Sequence, residues 1–221
     1  QGFPGEGPHR PLSCLTLNSN TFRSFKNKVM PFCFQDVLLL QETHLTHTLT
    51  KEGDSNIDRA TSKLKKHGYR SAFSAAVPTV KGGDLRRGRH RLEVRPAVAL
   101  VEEISPGRAV GVSLVTSLLG HAIFLSIYGY VNNPEQTKEL LQAITTFLCK
   151  SGKPFIIGGD FNAPPEQISD FMHDHNVPCH ITTPAGTTCQ STGHATCMDF
   201  FVVHPKVAAL CTQPICILQG T

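Results

Sequence analysis

The chain of 221 residues is 40% hydrophobic and 17% charged, proportions that are typical of a folded globular protein. This composition excludes a disordered chain and a collagen-like repeat, and the length is sufficient for one sizeable core. Lysine and arginine outnumber the acidic residues by 21 to 17, a balance that favours anionic partners only mildly.

The first ten residues are rich in proline and glycine and predict a flexible lead at 1–10, followed by a single domain over 11–221. The eight cysteines form no Cys-x-x-Cys pair, and Cys14 and Cys149 lie in stretches that we expect to be buried. We therefore expect reduced thiols in an intracellular protein rather than a disulfide framework. No apolar run approaches the roughly 18–20 residues that span a bilayer, so no membrane partner is expected.

In the first third of the chain, apolar runs bounded by turn residues predict strands at 12–17, 37–40 and 69–74. Phe22, Phe25 and Val29 recur every three to four positions and predict an amphipathic helix over 21–30. A second helix is predicted after Ser55, because Ser55 and Asp58 have the spacing of a capping box.

The remaining sequence predicts strands at 97–101, 109–115, 122–128, 155–157 and 199–203. Asn133-Pro134 begins a predicted helix that ends before Gly152, and a short helix is predicted through Ile168. Two groups of strands with intervening helices indicate an α/β protein in which one sheet packs on another and helices flank them.

Polar residues occur where the predicted apolar strands end, and neighbouring strand ends would gather them into one cleft. They are Asn18, Asn20, Glu42, Tyr128, Asp160 and Asn162. Carboxylate and amide oxygens suit Mg²⁺, Mn²⁺ or Ca²⁺ rather than zinc, and a hard cation can neutralise charge that builds on a phosphoryl oxygen. The alternative is that these residues simply form turns after strands.

Several segments resemble, in order, the motifs of the endonuclease/exonuclease/phosphatase superfamily. They are Leu-Thr-Leu-Asn-Ser-Asn at 15–20, Leu-Leu-Gln-Glu-Thr-His-Leu at 39–45, Ser-Ile-Tyr at 126–128, Ile-Gly-Gly-Asp-Phe-Asn-Ala-Pro at 157–164 and Met-Asp-Phe-Phe at 198–201. The segment at 39–45 most resembles the apurinic-type endonuclease domains of LINE-type retrotransposons and reverse-transcriptase polyproteins.

This resemblance implies a DNase I-like two-sheet α/β sandwich and a hydrolase that nicks DNA with Mg²⁺ (or Mn²⁺). Glu42 would be the main metal ligand, helped by Asn18, with Asn20 close to the substrate. Asp160 would orient or deprotonate the attacking water, which requires a carboxylate within hydrogen-bond reach of it.

Further roles follow from the same resemblance. Asn162 and Tyr128 would contact the scissile phosphate, and Asn132 would assist them. Thr188 would lie near the scissile group. Asp199 would hold a catalytic histidine in one tautomer and orientation.

The expected histidine is the first departure from the family pattern. The family closes with Ser-Asp-His or a variant, whereas the 22 residues after Asp199 contain one histidine, His204, directly before a proline. Either the domain is truncated at its C-terminus or the element has decayed. A catalytically impaired relic or nucleic-acid-binding module is therefore an alternative function, as is another phosphoesterase of the superfamily.

The second departure is residues 81–95, which hold six basic and two acidic residues where the family has a core strand. Arg86, Arg87 and Arg89 would contact the phosphate backbone of DNA; the alternative is a solvated, frame-shifted loop that replaces the strand. The absence of tryptophan leaves few stacking platforms, which favours duplex DNA as partner. The resemblance also implies a neighbouring reverse transcriptase domain in the parent polyprotein and a nuclear location.

Overall fold

The computed structural model describes residues 12–19, 21–45, 49, 53–81, 84–94, 100–116, 118–184, 189–191 and 194–211. The strands of this part are β1 (Cys14–Asn18), β2 (Val37–Gln41), β3 (Arg70–Lys81), β4 (Asp84–Val94), β5 (Leu100–Ser105), β6 (Ala109–Thr116), β7 (Gly120–Tyr128), β8 (Phe155–Asp160), β9 (His180–Thr182), β10 (Cys189–Ser191), β11 (His194–Thr196) and β12 (Asp199–Val203). Its helices are α1 (Phe22–Lys28), α2 (Asn56–Lys66), α3 (Pro134–Ser151), α4 (Pro165–Asp174) and α5 (Pro205–Ala208), with a 3-10 turn at Met30–Phe32.

Two main sheets pack face to face, as the sequence predicts for an α/β sandwich. One has the strand order β1-β2-β4-β3 and the other the order β5-β6-β7-β8-β12-β9, while β10 and β11 form a separate pair. Side chains from both sheets share one buried cluster, in which Val37 and Leu39 of β2 pack with Val110 and Phe124 of the larger sheet. The hydrophobic core between the sheets therefore fixes their stacking.

Helices cover the outer faces of both sheets. Ile123 and Leu125 of β7 pack with Leu141 and Ile144 of α3 in a second buried cluster, whereas Phe124 between them faces the other sheet. A strand covered on both faces is apolar at successive positions, which explains the apolar run from Ala122 to Leu125 in β7. Among the described residues, no helix is long and apolar enough to cross a membrane.

The predicted ends of α2 and α3 are confirmed, whereas the helix predicted over 21–30 ends at Lys28 and a 3-10 turn follows at Met30–Phe32. Ser55 and Asp58 form both hydrogen bonds of the capping box at the start of α2. Asn133 caps α3 and Pro134 occupies its first turn, while Gly152 ends it with φ of 60°. Glycine adopts this left-handed conformation without the steric cost of a Cβ atom.

Three sequence-based expectations require correction. The strand expected at 69–74 continues to Lys81, because it pairs along its length with β4. Of the strand expected at 97–101, residues 95–99 lie outside the described part, and β5 runs from Leu100 to Ser105. Cys149 is exposed rather than buried, since it lies off the apolar face of α3. It is a free thiol, as are Cys14, Cys33, Cys179, Cys197 and Cys211.

The basic segment is not a loop along its described length, because residues 84–94 form β4. This strand pairs with β2 from Val94 to His90, and its first part, 84–88, pairs only with residues 77–81 of β3. An unpaired strand edge bonds a neighbouring strand through backbone groups, so the basic side chains of β4 do not prevent it from pairing with β2. Because residues 84–88 pair with β3 but not with β2, the hairpin of β3 and β4 extends beyond the end of β2.

A buried glutamine joins the two sheets. Gln41, the last residue of β2, is 0% exposed, and its Nε2 donates to Ser126 Oγ of β7 at 3.0 Å and to the Leu39 carbonyl at 3.1 Å. Ser126 is also 0% exposed. Gln41 therefore gives the Ser126 hydroxyl a hydrogen-bond partner away from water.

Gln41→Leu is expected to lower the free energy of unfolding by about 1–3 kcal/mol, because it leaves the Ser126 hydroxyl buried without this partner. Adding Ser126→Ala should recover part of that loss, since the orphaned hydroxyl is removed. Urea denaturation of both single variants and the double variant measures the coupling. Strictly additive losses would show that this hydrogen bond does not hold the sheets together.

Candidate functional site

Strand register brings the ends of several strands to one edge of the sandwich. Tyr128 at the end of β7 pairs with Asp160 at the end of β8, and Asp160 pairs with Asp199 at the start of β12. In the other sheet, Asn18 ends β1 beside the end of β2, which Glu42 follows. Positions far apart in sequence therefore share one edge.

Hydrogen bonds between the two sheets join these side chains into one group. Asn18 Nδ2 donates to Asp160 Oδ2 at 3.2 Å, and the Tyr128 hydroxyl donates to Glu42 Oε1. Together with Asn162 we call these five residues the edge cluster. The structure thus places side by side five of the six residues to which the sequence assigns metal binding and catalysis, and the sixth, Asp199, pairs with Asp160 in the strand register.

The backbone at Glu42 turns sharply after β2. Its φ is 52°, a left-handed conformation that is unfavourable for a residue with a Cβ atom. Hydrogen bonds on both sides hold it: the Ser19 amide donates to the Gln41 carbonyl at 3.1 Å, and the Phe22 amide donates to the Thr43 carbonyl at 2.8 Å. The first turn of α1 and the end of β1 therefore fix where the Glu42 carboxylate lies.

The segment after β8 presents Asp160 and Asn162 on either side of a buried phenylalanine. Phe161 is buried and stacks on Phe200 with ring centroids 4.2 Å apart. The Asn162 amide donates to Asp160 Oδ1 at 3.0 Å. The aromatic contact anchors the segment, and this hydrogen bond sets the orientation of the carboxylate.

Gly129 links this segment to the end of β7. Its amide donates to the Asp160 carbonyl at 2.8 Å, and its carbonyl accepts from Asn162 Nδ2 at 3.1 Å. A Cβ atom at Gly129 would lie 1.8 Å from the Phe161 carbonyl oxygen, so only glycine allows this approach. One of the two Asn162 amide hydrogens is committed to Gly129, which gives the second a defined direction.

Burial sets the protonation behaviour of the cluster. It raises the pKa of Asp160 above its usual range, an effect that the Asn162 amide and the Asn18 side chain oppose and the charge of Glu42 reinforces. Burial and the hydrogen bond to Glu42 also raise the pKa of Tyr128. The phenol is therefore neutral near pH 7 and acts as a hydrogen-bond donor.

The donor set fits a hard divalent cation. Neither Glu42 nor Asp160 forms an ion pair with a described lysine or arginine, and the charge of Glu42 contributes to the raised pKa of Asp160. No group of three or more histidine, cysteine, aspartate or glutamate side chains within the described ranges could hold a metal. The Glu42 carboxylate with the Asn18 amide oxygen suits Mg²⁺, which binds few protein ligands and keeps several waters.

Two histidines in the last part of the chain lie away from Asp199. His180 pairs with Val203 at the opposite end of β12, and His204 follows Val203 with its ring 5.6 Å from that of Phe155 at the start of β8. The length of β12 separates them from Asp199 by roughly 13–16 Å. Neither supplies the imidazole that the family resemblance places beside Asp199.

The remaining predicted residues are only partly located. Asn132, with φ of 54°, lines a groove of about 310 Å³ that it shares with Asn162 between the start of α3 and α4. Asn20 and Thr188 lie outside the described residues. Three of the basic residues lie in β4, where the structure describes only their backbone: Arg86, Arg87 and Arg89.

Sequence reasoning missed the residues that support the cluster. Gln41 carried a signal, since a polar residue ends a run of apolar residues that is buried throughout. Gly129 directly follows Tyr128, and a glycine at the end of a strand can mark a close backbone approach. Arg108 follows a Pro-Gly turn, and no local pattern indicates its contact with the end of β7.

Comparison with known proteins identifies the family. The endonuclease/exonuclease/phosphatase family model matches residues 15–217. No curated protein sequence matches the chain.

Solved structures share the fold at low sequence identity. An endonuclease/exonuclease/phosphatase family protein from Leptotrichia buccalis C-1013-b has a TM-score of 0.59 at 14% identity, over 89% of this chain and 88% of that one. The corresponding protein from Beutenbergia cavernae DSM 12333 has a TM-score of 0.58 at 14% identity, over 88% of this chain and 64% of that one. The Xenopus laevis APE2 catalytic domain has a TM-score of 0.57 at 14% identity, over 89% and 83%.

At this identity the neighbours show the DNase I-like fold alone. The family match, by contrast, extends over nearly the whole chain and includes every member of the edge cluster. The chain therefore belongs to the endonuclease/exonuclease/phosphatase family of hydrolytic nucleases and phosphatases.

Proposed function

We propose that this chain is a divalent-metal-dependent phosphodiesterase that nicks DNA, as the endonuclease part of a retroelement polyprotein. The observation that carries the proposal is the convergence of carboxylate, amide and phenol groups from both sheets in the edge cluster. The segment at 39–45, with its resemblance to LINE-type endonuclease domains, supports DNA over other phosphate esters.

Glu42 and Asn18 are the residues that would hold Mg²⁺ or Mn²⁺. When bound, the cation would neutralise charge that builds on a phosphoryl oxygen during in-line attack. The Tyr128 hydroxyl donates to Glu42 and has a single proton to donate. While that proton is donated to Glu42, the hydroxyl cannot also donate to an anionic phosphate oxygen. We therefore assign to Tyr128 the placement of the Glu42 carboxylate, and the phosphate contact that the resemblance implies would require the hydroxyl to turn from Glu42 to the phosphate.

Asp160 is the residue proposed to orient and deprotonate the attacking water. Its carboxylate is held by the Asn18 side chain and the Asn162 amide, so its direction does not depend on the substrate. A raised pKa makes it a stronger base than an exposed aspartate, which suits proton transfer near neutral pH. The second Asn162 amide hydrogen would donate to a non-bridging phosphate oxygen as charge develops there.

The parts of the proposal outside the edge cluster rest on sequence alone. Asn20, Asn132 and Thr188 are proposed to contact the substrate, and Arg86, Arg87 and Arg89 the DNA backbone. The hairpin of β3 and β4 supports the latter, because it extends from the sheet edge where the cluster lies. A neighbouring reverse transcriptase domain and a nuclear location are proposed from the same retroelement resemblance.

A second candidate function is a metal- and DNA-binding domain with impaired turnover. The observation that favours it is the position of His180 and His204 at the far end of β12 from Asp199. An ionised aspartate accepts hydrogen bonds but cannot protonate a leaving group. DNA binding without nicking would support this candidate over the first.

Asp160→Asn is expected to reduce nicking of supercoiled plasmid in Mg²⁺ by about 10²–10⁴-fold, with little change in DNA affinity, because a general base acts mainly in the transition state. The matched control is Asp54→Asn, which removes an exposed carboxylate outside the edge cluster. Agarose gels measure the nicking rate and fluorescence anisotropy measures DNA affinity. Nicking by Asp160→Asn within about twofold of the parent chain would refute the assignment.

A further inference from the structure

Arg108 contacts the segment that carries Tyr128 without belonging to the edge cluster. It follows the turn between β5 and β6, where its carbonyl accepts from the Tyr128 amide at 2.9 Å. Its guanidinium Nη1 donates to the Gly129 carbonyl at 3.0 Å. The side chain therefore reaches along the end of β7 to the residue that follows it.

The same guanidinium lies against two aromatic rings. Its central carbon is 4.0 Å from the ring centroid of Tyr130 and 5.0 Å from that of Tyr128. A planar guanidinium can stack on an aromatic face while N–H groups at its edge donate hydrogen bonds. The compact ammonium group of lysine cannot combine the two contacts in this way. Arg108 therefore constrains both the tyrosine rings and the backbone between them.

The Gly129 carbonyl connects Arg108 to the edge cluster. It accepts from Arg108 Nη1 at 3.0 Å and from Asn162 Nδ2 at 3.1 Å, so one oxygen holds both side chains. A shift of this carbonyl would redirect the second Asn162 amide hydrogen. Gly129 itself has little freedom to compensate, since its amide is bonded to the Asp160 carbonyl.

We propose that Arg108 is a positioning residue for phosphodiester hydrolysis: it fixes the Gly129 carbonyl and the Tyr128 ring, and through them the orientation of Asn162 and Glu42. The inference rests on the proposed function and deepens it. In this proposal Arg108 acts on the substrate through these neighbours, because its guanidinium donates to the Tyr128 and Gly129 carbonyls and lies against two tyrosine rings within the described part of the chain.

The first test separates positioning from a direct contact with DNA. Arg108→Lys and Arg108→Met should each lower kcat for plasmid nicking by about 10-fold or more, because small misplacement of a reacting group is costly, while KM stays within about twofold. The slope of log Kd against log salt should be unchanged. Arg70→Met is the matched control, since Arg70 is exposed at the opposite end of the smaller sheet.

A direct phosphate contact would give different results. The salt slope would fall by about 0.9 on removal of one contact, KM would rise, and Arg108→Lys would retain most of the activity because lysine keeps the charge. That combination would overturn the proposal, as would a kcat unchanged in both variants.

A second readout does not require turnover, so failure of the inference can be told from failure of the proposed function. In ¹⁵N-labelled protein, the two side-chain amide hydrogens of Asn162 should give separate resonances, assigned by their loss in Asn162→Asp. Arg108→Lys and Arg108→Met should shift both, whereas Arg70→Met should not. Asn162 resonances that are unchanged in both Arg108 variants would refute the positioning role even if the parent chain does not nick DNA.

Discussion

The spacing of the two sheets at their common edge is the constraint on which the candidate site depends. Glu42 and Asn18 come from one sheet and Tyr128 and Asp160 from the other, so the cluster forms only where the two layers meet. The hydrogen bond between Gln41 and Ser126 spans the layers one residue before Glu42. A buried polar pair is costly to break, and this one lies where a change of spacing would separate the members of the edge cluster.

The edge cluster holds the carboxylates of Glu42 and Asp160 near each other in partly buried surroundings. Burial and the charge of Glu42 both disfavour ionised Asp160, and the backbone at Glu42 has an unfavourable φ. Such costs are common at functional sites, where the surrounding structure maintains an arrangement that is poor for stability. Here Asn18 and Asn162 hold the Asp160 carboxylate and Tyr128 holds the Glu42 carboxylate. A divalent cation would offset the unfavourable effect of the Glu42 charge on ionised Asp160.

Local patterns account for the features that sequence predicted well. The caps of α2 and α3 depend on residues within one helical turn, and the polar ends of the apolar strands marked Glu42 and Asp160 directly. The strand β4 could not be predicted from its own basic residues, because it forms by backbone pairing with β2, which is distant in sequence. Arg108 was missed for a similar reason, since its partners Gly129 and Tyr130 are distant in sequence.

The most direct test of the central claim is where a divalent cation binds. Substoichiometric Mn²⁺ added to ¹⁵N-labelled protein should selectively broaden the amide resonances of Asn18, Glu42 and Asp160, because paramagnetic relaxation falls steeply with distance. Residues at the opposite edge, such as Asp36 and His204, should stay sharp, and Glu42→Gln should abolish the effect. Broadening centred on the opposite edge, or unchanged by Glu42→Gln, would contradict the account of this edge as a metal-dependent phosphodiesterase site.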